Sequence, residues 1–204
     1  MNQVSDERSI QDAAKVVANG GVIAFRTDTF YGLGADPFDR AAVQRIKELK
    51  GREDDKPILI VISNLDQIER FIAMPSHSFQ LLSKEFWPGA LTLIGKARPE
   101  VPKEITAGSG TIGVRLPNDE RVRALVRACG GALTATSANL SHEPPASSAV
   151  AVQHYFVEGI DLIIDDGESQ TDAASTVVDA TGYKPKLIRE GVVAWSEIVT
   201  RLDS

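Results

Sequence analysis

Segments with helical and strand periodicity alternate along nearly the whole chain, and this alternation constrains the fold more than any other feature. An apolar stripe over residues 10–17 predicts a helix that ends at Gly20-Gly21. The apolar run Val22–Phe25 then predicts a buried strand, which leads into the polar segment Arg26–Gly34.

The same alternation continues to the last residues of the chain. Further helices are predicted after the N-cap residue Asp39, over Leu65–Ile72, Ser76–Phe86 and Glu120–Cys129, after residue 148, and from Trp195. Further strands are predicted over Ile58–Ile62, Leu91–Ile94, Thr111–Leu116, Ala132–Ala135, Leu162–Ile164, Thr176–Asp179 and Lys186–Arg189. The pattern predicts one α/β domain over residues 1–204, built on a single mixed, twisted open sheet flanked by helices, with ligand-binding loops at the strand ends.

Composition and charge exclude several classes of protein. The net charge of −6 gives no global positive field that would hold nucleic acid nonspecifically, although the 22 Lys and Arg residues leave room for a local basic site. A single cysteine, Cys129, excludes an intramolecular disulfide, and its apolar helical setting predicts a buried, inert thiol. No apolar stretch approaches transmembrane length and no charged leader with an apolar run opens the chain, so we expect a cytoplasmic protein without a membrane partner.

The common catalytic motifs are absent from the sequence. There is no GxxxxGK[ST] segment for a phosphate-binding P-loop, and Gly32-Leu-Gly34 is not followed by the third glycine of a dinucleotide fingerprint. The three histidines lack the spacing of a zinc site, and there is no GxSxG elbow or suitably placed acidic pair. Any nucleotide must therefore be held by a less common arrangement, and we expect no metal ligated by the protein itself.

Two short polar pairs point to such an arrangement. Lys50 and Arg52, and likewise Ser137 and Asn139, stand at i and i+2, the spacing that directs side chains to one side of an extended backbone. Lys50 also continues the inward stripe of the preceding helix, where a lysine either extends its ammonium towards water or meets an anion. A helix C-terminus that favours cations explains the first pair equally well, and an ordinary turn explains the second.

Other polar residues stand at the ends of apolar strands. Thr29 follows a buried strand, Ser175 opens another, and Arg189 interrupts an apolar run. Arg115 lies inside a strand, on the face opposite three apolar residues, and that face needs either water or an anionic partner. Plain turn hydroxyls and a solvent-exposed face remain alternatives for these positions.

Taken together, these residues resemble the YrdC/TsaC family of threonylcarbamoyl-AMP synthases over roughly residues 10 to 192. The length resembles the short form of the family, which lacks an extra C-terminal domain. The segments that carry the resemblance are Thr27–Gly34, Lys50–Arg52, Phe86–Gly89, Thr111–Arg115, Thr136–Ser141, Ser175–Asp179 and Ile188–Gly191. The family pattern KxR…SxN falls on Lys50, Arg52, Ser137 and Asn139.

The resemblance implies a YrdC-like fold with a concave ligand cavity and a specific reaction. L-threonine, bicarbonate and ATP would give threonylcarbamoyl-AMP and pyrophosphate, for the N6-threonylcarbamoyladenosine (t6A) modification of tRNA position 37. Mg²⁺ would arrive on the ATP phosphates, tRNA-pathway proteins would receive the product, and weak tRNA binding is possible. Catalysis would consist mainly of positioning the substrates and of stabilising the negative charge on the phosphoryl oxygens with cations. It would need no covalent protein nucleophile.

Roles carry over from the family by position. Threonine would be bound by Thr29, Arg115, Ala135 and Ser175. ATP would be bound by Arg52, Lys56, Thr111, Ser137, Pro145 and Arg189. The catalytic tetrad would be Lys50, Arg52, Ser137 and Asn139. The chain departs from the pattern of the longer members at several positions, among them Lys56, Val61 and His142, where asparagine, histidine and glycine are frequent.

Three alternatives are weighed against this hypothesis. A non-catalytic protein of the same fold could bind RNA as a tRNA or rRNA processing factor, but the intact polar pairs and the negative charge disfavour it. A carbamoyltransferase domain of the hydrogenase-maturation type belongs to longer chains with cysteine-rich zinc segments, which a chain with one cysteine does not match. A purely structural module leaves the polar residues at the strand ends unexplained.

Overall fold

The computed structural model describes residues 3–51, 56–169, 171 and 173–202. The helices are α1 (Gln3–Ala18), α2 (Arg40–Leu49), α3 (His77–Phe86), α4 (Lys103–Thr106), α5 (Glu120–Ala128), α6 (Ala149–Tyr155) and α7 (Trp195–Leu202), with a 3₁₀ helix at Leu65–Arg70. The strands are β1 (Ile23–Arg26), β2 (Tyr31–Gly34), β3 (Ile60–Ile62), β4 (Leu91–Lys96), β5 (Thr111–Arg115), β6 (Ala132–Thr134), β7 (Thr136–Ser137), β8 (Leu162–Ile163), β9 (Thr176–Asp179) and β10 (Lys186–Arg189).

The strands form two sheets, whereas the sequence predicted one. A four-stranded sheet has the order β7-β2-β1-β8, and a six-stranded sheet has the order β10-β9-β4-β5-β3-β6. Both sheets are mixed, since each contains parallel and antiparallel pairs. The predicted α/β class with mixed open sheets and flanking helices is confirmed, but the prediction of a single sheet was wrong.

The chain passes from one sheet to the other at Ala135. Thr134 closes β6 in the six-stranded sheet, and Thr136 opens β7 in the four-stranded sheet. The Thr134 hydroxyl donates to Leu33 O at 3.1 Å and accepts from Ala35 N at 2.9 Å, so it also bonds to the end of β2. A buried hydroxyl with both hydrogen bonds satisfied joins β6 of one sheet to the end of β2 in the other at little cost.

The core consists of two clusters of buried apolar side chains. In the smaller cluster, Ala13 and Val17 of α1 pack with Val122 and Val126 of α5 and with residues of β1, including Phe25. The larger cluster contains side chains from α2, α3, β3, β4 and β5. Cys129 lies in the smaller cluster, and burial raises the pKa of its thiol to about 12, which confirms the predicted buried thiol.

Most predicted elements are present, with differences at specific segments. Asp39 caps α2 as predicted, accepting a hydrogen bond from Ala42 N at 3.0 Å. The segment predicted to be a polar loop contains β2, which forms an antiparallel pair with β1. The helix predicted over Leu65–Ile72 is a shorter 3₁₀ helix, and α4 and β7 were not predicted. None of the helices in the described part of the chain is both long and apolar enough to cross a membrane.

Candidate functional site

Arg115, at the end of β5, is the centre of a buried polar cluster between the two sheets. Its side chain is 7% exposed. Nη1 donates to Thr29 Oγ1 at 3.1 Å, and Nη2 donates to Thr27 Oγ1 at 3.3 Å. Both threonines lie in the turn between β1 and β2 of the other sheet. The guanidinium group therefore joins the two sheets, and the predicted solvent-exposed alternative for this face is wrong.

The turn between β1 and β2 is itself ordered by the Thr27 hydroxyl. Thr27 Oγ1 donates to Phe30 O at 2.8 Å and accepts from Thr29 N at 3.1 Å. The two threonine hydroxyls lie 3.0 Å apart. This side-chain-to-backbone pattern is typical of threonine in turns, and it fixes two hydroxyl oxygens in front of Arg115.

A second polar group faces the cluster from the start of β9 and the end of β10. The hydroxyls of Ser175 and Thr92 lie 2.9 Å apart, and both residues are buried. Arg189 Nη2 donates to Ser175 O at 2.8 Å. Two arginines of the six-stranded sheet, Arg115 on β5 and Arg189 on β10, thus approach one space.

That space is a pocket of about 220 Å³. Its lining includes Thr29, Arg115, Ala135, Ser137, Pro145, Ser175 and Arg189, seven of the residues that the family resemblance assigned to threonine or ATP. The remaining lining is largely apolar, with Phe30, Leu59 and Val61 among its residues. All four residues assigned to threonine are therefore brought together, and three of those assigned to ATP lie beside them.

Lys50 lies at the C-cap of α2 and is 4% exposed. Its Nζ donates to Ser137 O, to Asn139 O at 2.7 Å and to Asn139 Oδ1 at 3.1 Å. The predicted inward direction of Lys50 is confirmed. Its backbone is helical and Gly51 is left-handed at φ 56°, so the extended geometry expected at this pair was wrong. The ammonium holds the segment 137–139 in place.

A second, more open pocket of about 200 Å³ adjoins these residues. It is lined by Lys50, Lys56, Ser137, Asn139, Ser141 and His142. Ser137 belongs to both pockets, so it marks the point where the two meet.

Arg52 lies outside the described residues. Thr111 lines neither pocket. It stands at the opposite end of β5 from Arg115, and a rise of about 3.3 Å per residue places the two residues about 13 Å apart along the strand.

The electrostatics of the first pocket favour an anion. Burial and the nearby Arg189 lower the pKa of Arg115, and the carboxylate of Asp28 raises it. Asp28 Oδ1 lies 3.3 Å from Arg115 Nη2. Two guanidinium groups and one carboxylate leave an excess positive charge, and a guanidinium group is the side chain best suited to bind a carboxylate or phosphate.

The sequence did not point to Thr92 or Asp28, although both contact residues of the predicted site. Asp28 stands between Thr27 and Thr29, and its polarity in a turn carried no specific signal. Thr92 alternates with Leu91 and Leu93 in β4, which is the pattern of an ordinary strand. Their roles depend on contacts with residues more than eighty positions away, which one sequence does not show.

No group of His, Cys, Asp or Glu side chains suited to hold a metal ion occurs among the residues that the structure describes. The donor set of the site is instead cationic and hydroxylic, from Arg115, Lys50, Lys56 and the neighbouring threonines and serines. Such a set is suited to bind anionic groups such as a carboxylate or a phosphate.

Comparison with known proteins is consistent with this geometry. Residues 15–191 match the Sua5/YciO/YrdC family model, described as telomere recombination. The threonylcarbamoyl-AMP synthase of Pyrococcus abyssi is 39% identical over 193 residues, 95% of this chain and 57% of that protein. The threonylcarbamoyl-AMP synthase of Bacillus subtilis is 36% identical over 201 residues, 96% of this chain and 58% of that protein. The chain thus spans less than two thirds of the length of these two relatives.

A solved structure agrees with the sequence comparison. The crystal structure of P. abyssi Sua5 complexed with L-threonine matches 95% of this chain and 57% of that chain, with a TM-score of 0.91 and 39% identity. The overall fold of this chain is therefore similar to that of the solved relative.

Proposed function

This chain belongs to the Sua5/YciO/YrdC family, and from that premise we propose that it is an L-threonylcarbamoyladenylate synthase acting in the t6A modification of tRNA. The observation that carries the proposal is the buried Arg115 in a pocket that adjoins a second, lysine-lined pocket at Ser137. Relatives named threonylcarbamoyl-AMP synthase and a relative solved with L-threonine support the substrate class. Within this proposal the enzyme is a nucleotidyltransferase of the cytoplasm.

The proposed reaction has two steps. The amine of L-threonine combines with bicarbonate to form an N-carboxythreonine and water. An oxygen of the new carbamate then forms a bond to the α-phosphorus of ATP, the bond from that phosphorus to the bridging oxygen breaks, and pyrophosphate leaves. Negative charge accumulates on phosphoryl oxygens during the second step, so fixed cations and hydroxyl donors lower its barrier.

L-threonine would bind in the first pocket, and the phosphates of ATP would bind in the second. Arg115, held by Thr29, would bind the threonine carboxylate, with Ser175 and the backbone of Ala135 completing the pocket. An arginine at this position binds a carboxylate through two parallel hydrogen bonds, which a lysine does not reproduce. The threonine amine would then face Ser137, where the second pocket begins.

The phosphates would occupy the second pocket. Lys56 lines it directly, and Lys50 orders the Ser137 and Asn139 backbone that forms its wall. Pro145 and Arg189 line the first pocket. Arg52 and Thr111 keep their proposed ATP roles only as predictions from the resemblance. Mg²⁺ would neutralise phosphate charge, bound through the nucleotide, and tRNA-pathway proteins would accept the product.

Pyrophosphate release tests the proposal. Purified protein is incubated with ATP and Mg²⁺, with L-threonine and bicarbonate supplied together, singly or not at all. We expect release only when both are present, since the attacking carbamate needs both. Release without threonine would identify a general ATPase. No release, together with no ATP binding by calorimetry, would favour the RNA-binding alternative.

Three variants make this assay specific to the site. Arg115→Lys keeps a positive charge but loses the paired donors, so the KM for L-threonine should rise at least tenfold, on the order of one lost charged hydrogen bond. Arg98→Lys is the matched control, because Arg98 is an exposed arginine paired with Glu100 and does not line the pocket.

Arg52→Ala should abolish activity while leaving the fold intact, and wild-type turnover in that variant would contradict the role of Arg52.

A further inference from the structure

Asp28 contacts the arginine of the first pocket but does not itself line that pocket. Thr27 and Thr29 both line the pocket, whereas Asp28 between them does not. Its Oδ1 is 3.3 Å from Arg115 Nη2, and the two side chains are 10% and 7% exposed. Asp28 therefore contacts the guanidinium group without lining the pocket in which a substrate would meet the same group.

The carboxylate is fixed by few other contacts. Asp28 Oδ2 accepts a hydrogen bond from Asn118 N at 3.2 Å, in the loop that follows β5. Oδ1 is buried and has no hydrogen-bond partner of good geometry, so its principal interaction is the charge of Arg115. A buried carboxylate in this position is stabilised by the arginine, and it stabilises the arginine in turn.

The neighbouring charges do not replace this pair. Arg26 forms its ion pair with Asp119 at 3.3 Å. Burial lowers the pKa of Arg115, the carboxylate of Asp28 opposes this shift, and the positive charge of Arg189 adds to it. Asp28 is thus the carboxylate that offsets the charge of the pocket arginine.

We propose that Asp28 is a positioning residue that acts as the built-in counter-ion of Arg115 and thereby sets how strongly the pocket binds a carboxylate ligand. Without ligand, Asp28 compensates the buried guanidinium. When a substrate carboxylate binds, it shares an arginine that already has an anionic partner, so its affinity is lower than an uncompensated arginine would give. The identification of that ligand as L-threonine rests on the proposed function.

Asp28→Asn removes the negative charge of the side chain and keeps its shape. The asparagine oxygen can still accept from Asn118 N, and the hydroxyls of Thr27 and Thr29 still hold the guanidinium group. We expect the Kd for L-threonine, measured by calorimetry, to fall on the order of tenfold, because a like charge close to the binding site is removed. The unfolding midpoint of the ligand-free variant should fall, and saturating L-threonine should restore most of the difference.

A merely structural role predicts the opposite binding result. If Asp28 only keeps the loop in shape, Asp28→Asn would weaken L-threonine binding or leave it unchanged, and either outcome would overturn the proposal. Asp36→Asn is the matched control, since Asp36 accepts a hydrogen bond from Phe38 N at 2.9 Å and does not line the first pocket. That variant should leave the Kd unchanged.

A double-mutant cycle tests the pair without any ligand. Arg115→Met, Asp28→Asn and the double variant are compared by denaturant unfolding. We expect Asp28→Asn to destabilise the protein when Arg115 is present and to be neutral or stabilising when it is absent, because a lone buried carboxylate is costly. Additive effects would overturn the counter-ion role. If the cycle shows coupling but the wild-type protein does not bind L-threonine, the proposed function fails and the counter-ion role stands.

Discussion

At the scale of single residues, the direction of a side chain was predictable and its partners were not. Lys50 continues the apolar stripe of α2, and its burial follows from helical geometry alone. Its acceptors are the carbonyl oxygens of Ser137 and Asn139, almost ninety residues away. The sequence indicated either water or an anion as the partner of this ammonium, because the loop that supplies the acceptors has no local signal.

Replacement of Lys50 should therefore affect stability as well as activity. Lys50→Met keeps the length of the side chain but leaves three buried acceptor contacts unmade. We expect a loss of about 1–3 kcal/mol in the free energy of unfolding, the cost of unsatisfied buried polar groups, measured by urea denaturation. Lys84→Met, on an exposed part of α3, serves as the control and should change it little. Equal stability of the two variants would contradict the anchoring role.

His142 carries backbone strain that a glycine would relieve. Its φ of 74° lies in the left-handed region, and Ala107 shares this feature at φ 51°. We expect His142→Gly and Ala107→Gly each to raise the free energy of unfolding by about 0.5–1 kcal/mol, because glycine adopts this conformation without a Cβ clash. Thermal unfolding of both variants checks this. If His142→Gly alone is destabilised, the contacts of the imidazole contribute more to the free energy of unfolding than the backbone strain costs.

At the scale of elements, helix boundaries and long strands were predictable, whereas short paired segments were not. Asp39 and Ser76 cap α2 and α3 by accepting backbone N–H bonds, as their sequence positions indicate. β2 contains Gly32 and Gly34, and glycine argues against a strand when only one sequence is considered. Gly34 is required here because a Cβ would lie 2.7 Å from the Phe25 ring of the paired strand.

The close approach at the end of β10 gives a prediction for that element. A Cβ at Gly191 would clash with Ala174 O and would lie 2.7 Å from Ser175 C. Gly191→Ala should therefore displace the segment after β10 and with it Arg189, which bonds to Ser175 O. We expect a destabilisation of about 1–3 kcal/mol and a higher KM for L-threonine.

Gly182→Ala is the matched control for this substitution. A Cβ at Gly182 would lie no closer than 4.0 Å to Lys184 O, so the substitution should be almost neutral. Denaturant unfolding and threonine kinetics of the two variants give the comparison. A neutral Gly191→Ala would show that the backbone near Ser175 moves easily and that Arg189 is not fixed by this contact.

At the scale of the whole molecule, the site exists because two sheets meet. Arg115 belongs to the six-stranded sheet, while Thr27, Thr29 and Ser137 lie in or next to the four-stranded sheet. The strand ends that carry polar residues were predictable from the sequence. Their convergence depends on the order of strands in each sheet, and no local pattern encodes that order. The family resemblance supplied this information where physical reasoning from the residues did not.

The buried thiol of Cys129 links the smaller core cluster to the pH dependence of stability. Burial raises the thiol pKa from 9.0 to about 12, so the folded state disfavours the thiolate. The stabilisation from this group is fully present below the unfolded pKa and is lost as pH rises from about 9 towards 12. We expect the fall in stability across this range to be smaller in Cys129→Ala than in the wild type, as measured by unfolding at each pH. Parallel curves would contradict the shifted pKa.

The proposed reaction joins threonine, the bicarbonate carbon and AMP in one product at the two adjoining pockets. The most direct measurement is mass spectrometry of the nucleotides formed from ATP, L-threonine and ¹³C-bicarbonate with Mg²⁺. We predict a threonine-containing adenylate that carries the ¹³C label and is absent when threonine is omitted. An adenylate without the label, or ATP turnover that yields no threonine-containing nucleotide, would contradict the account.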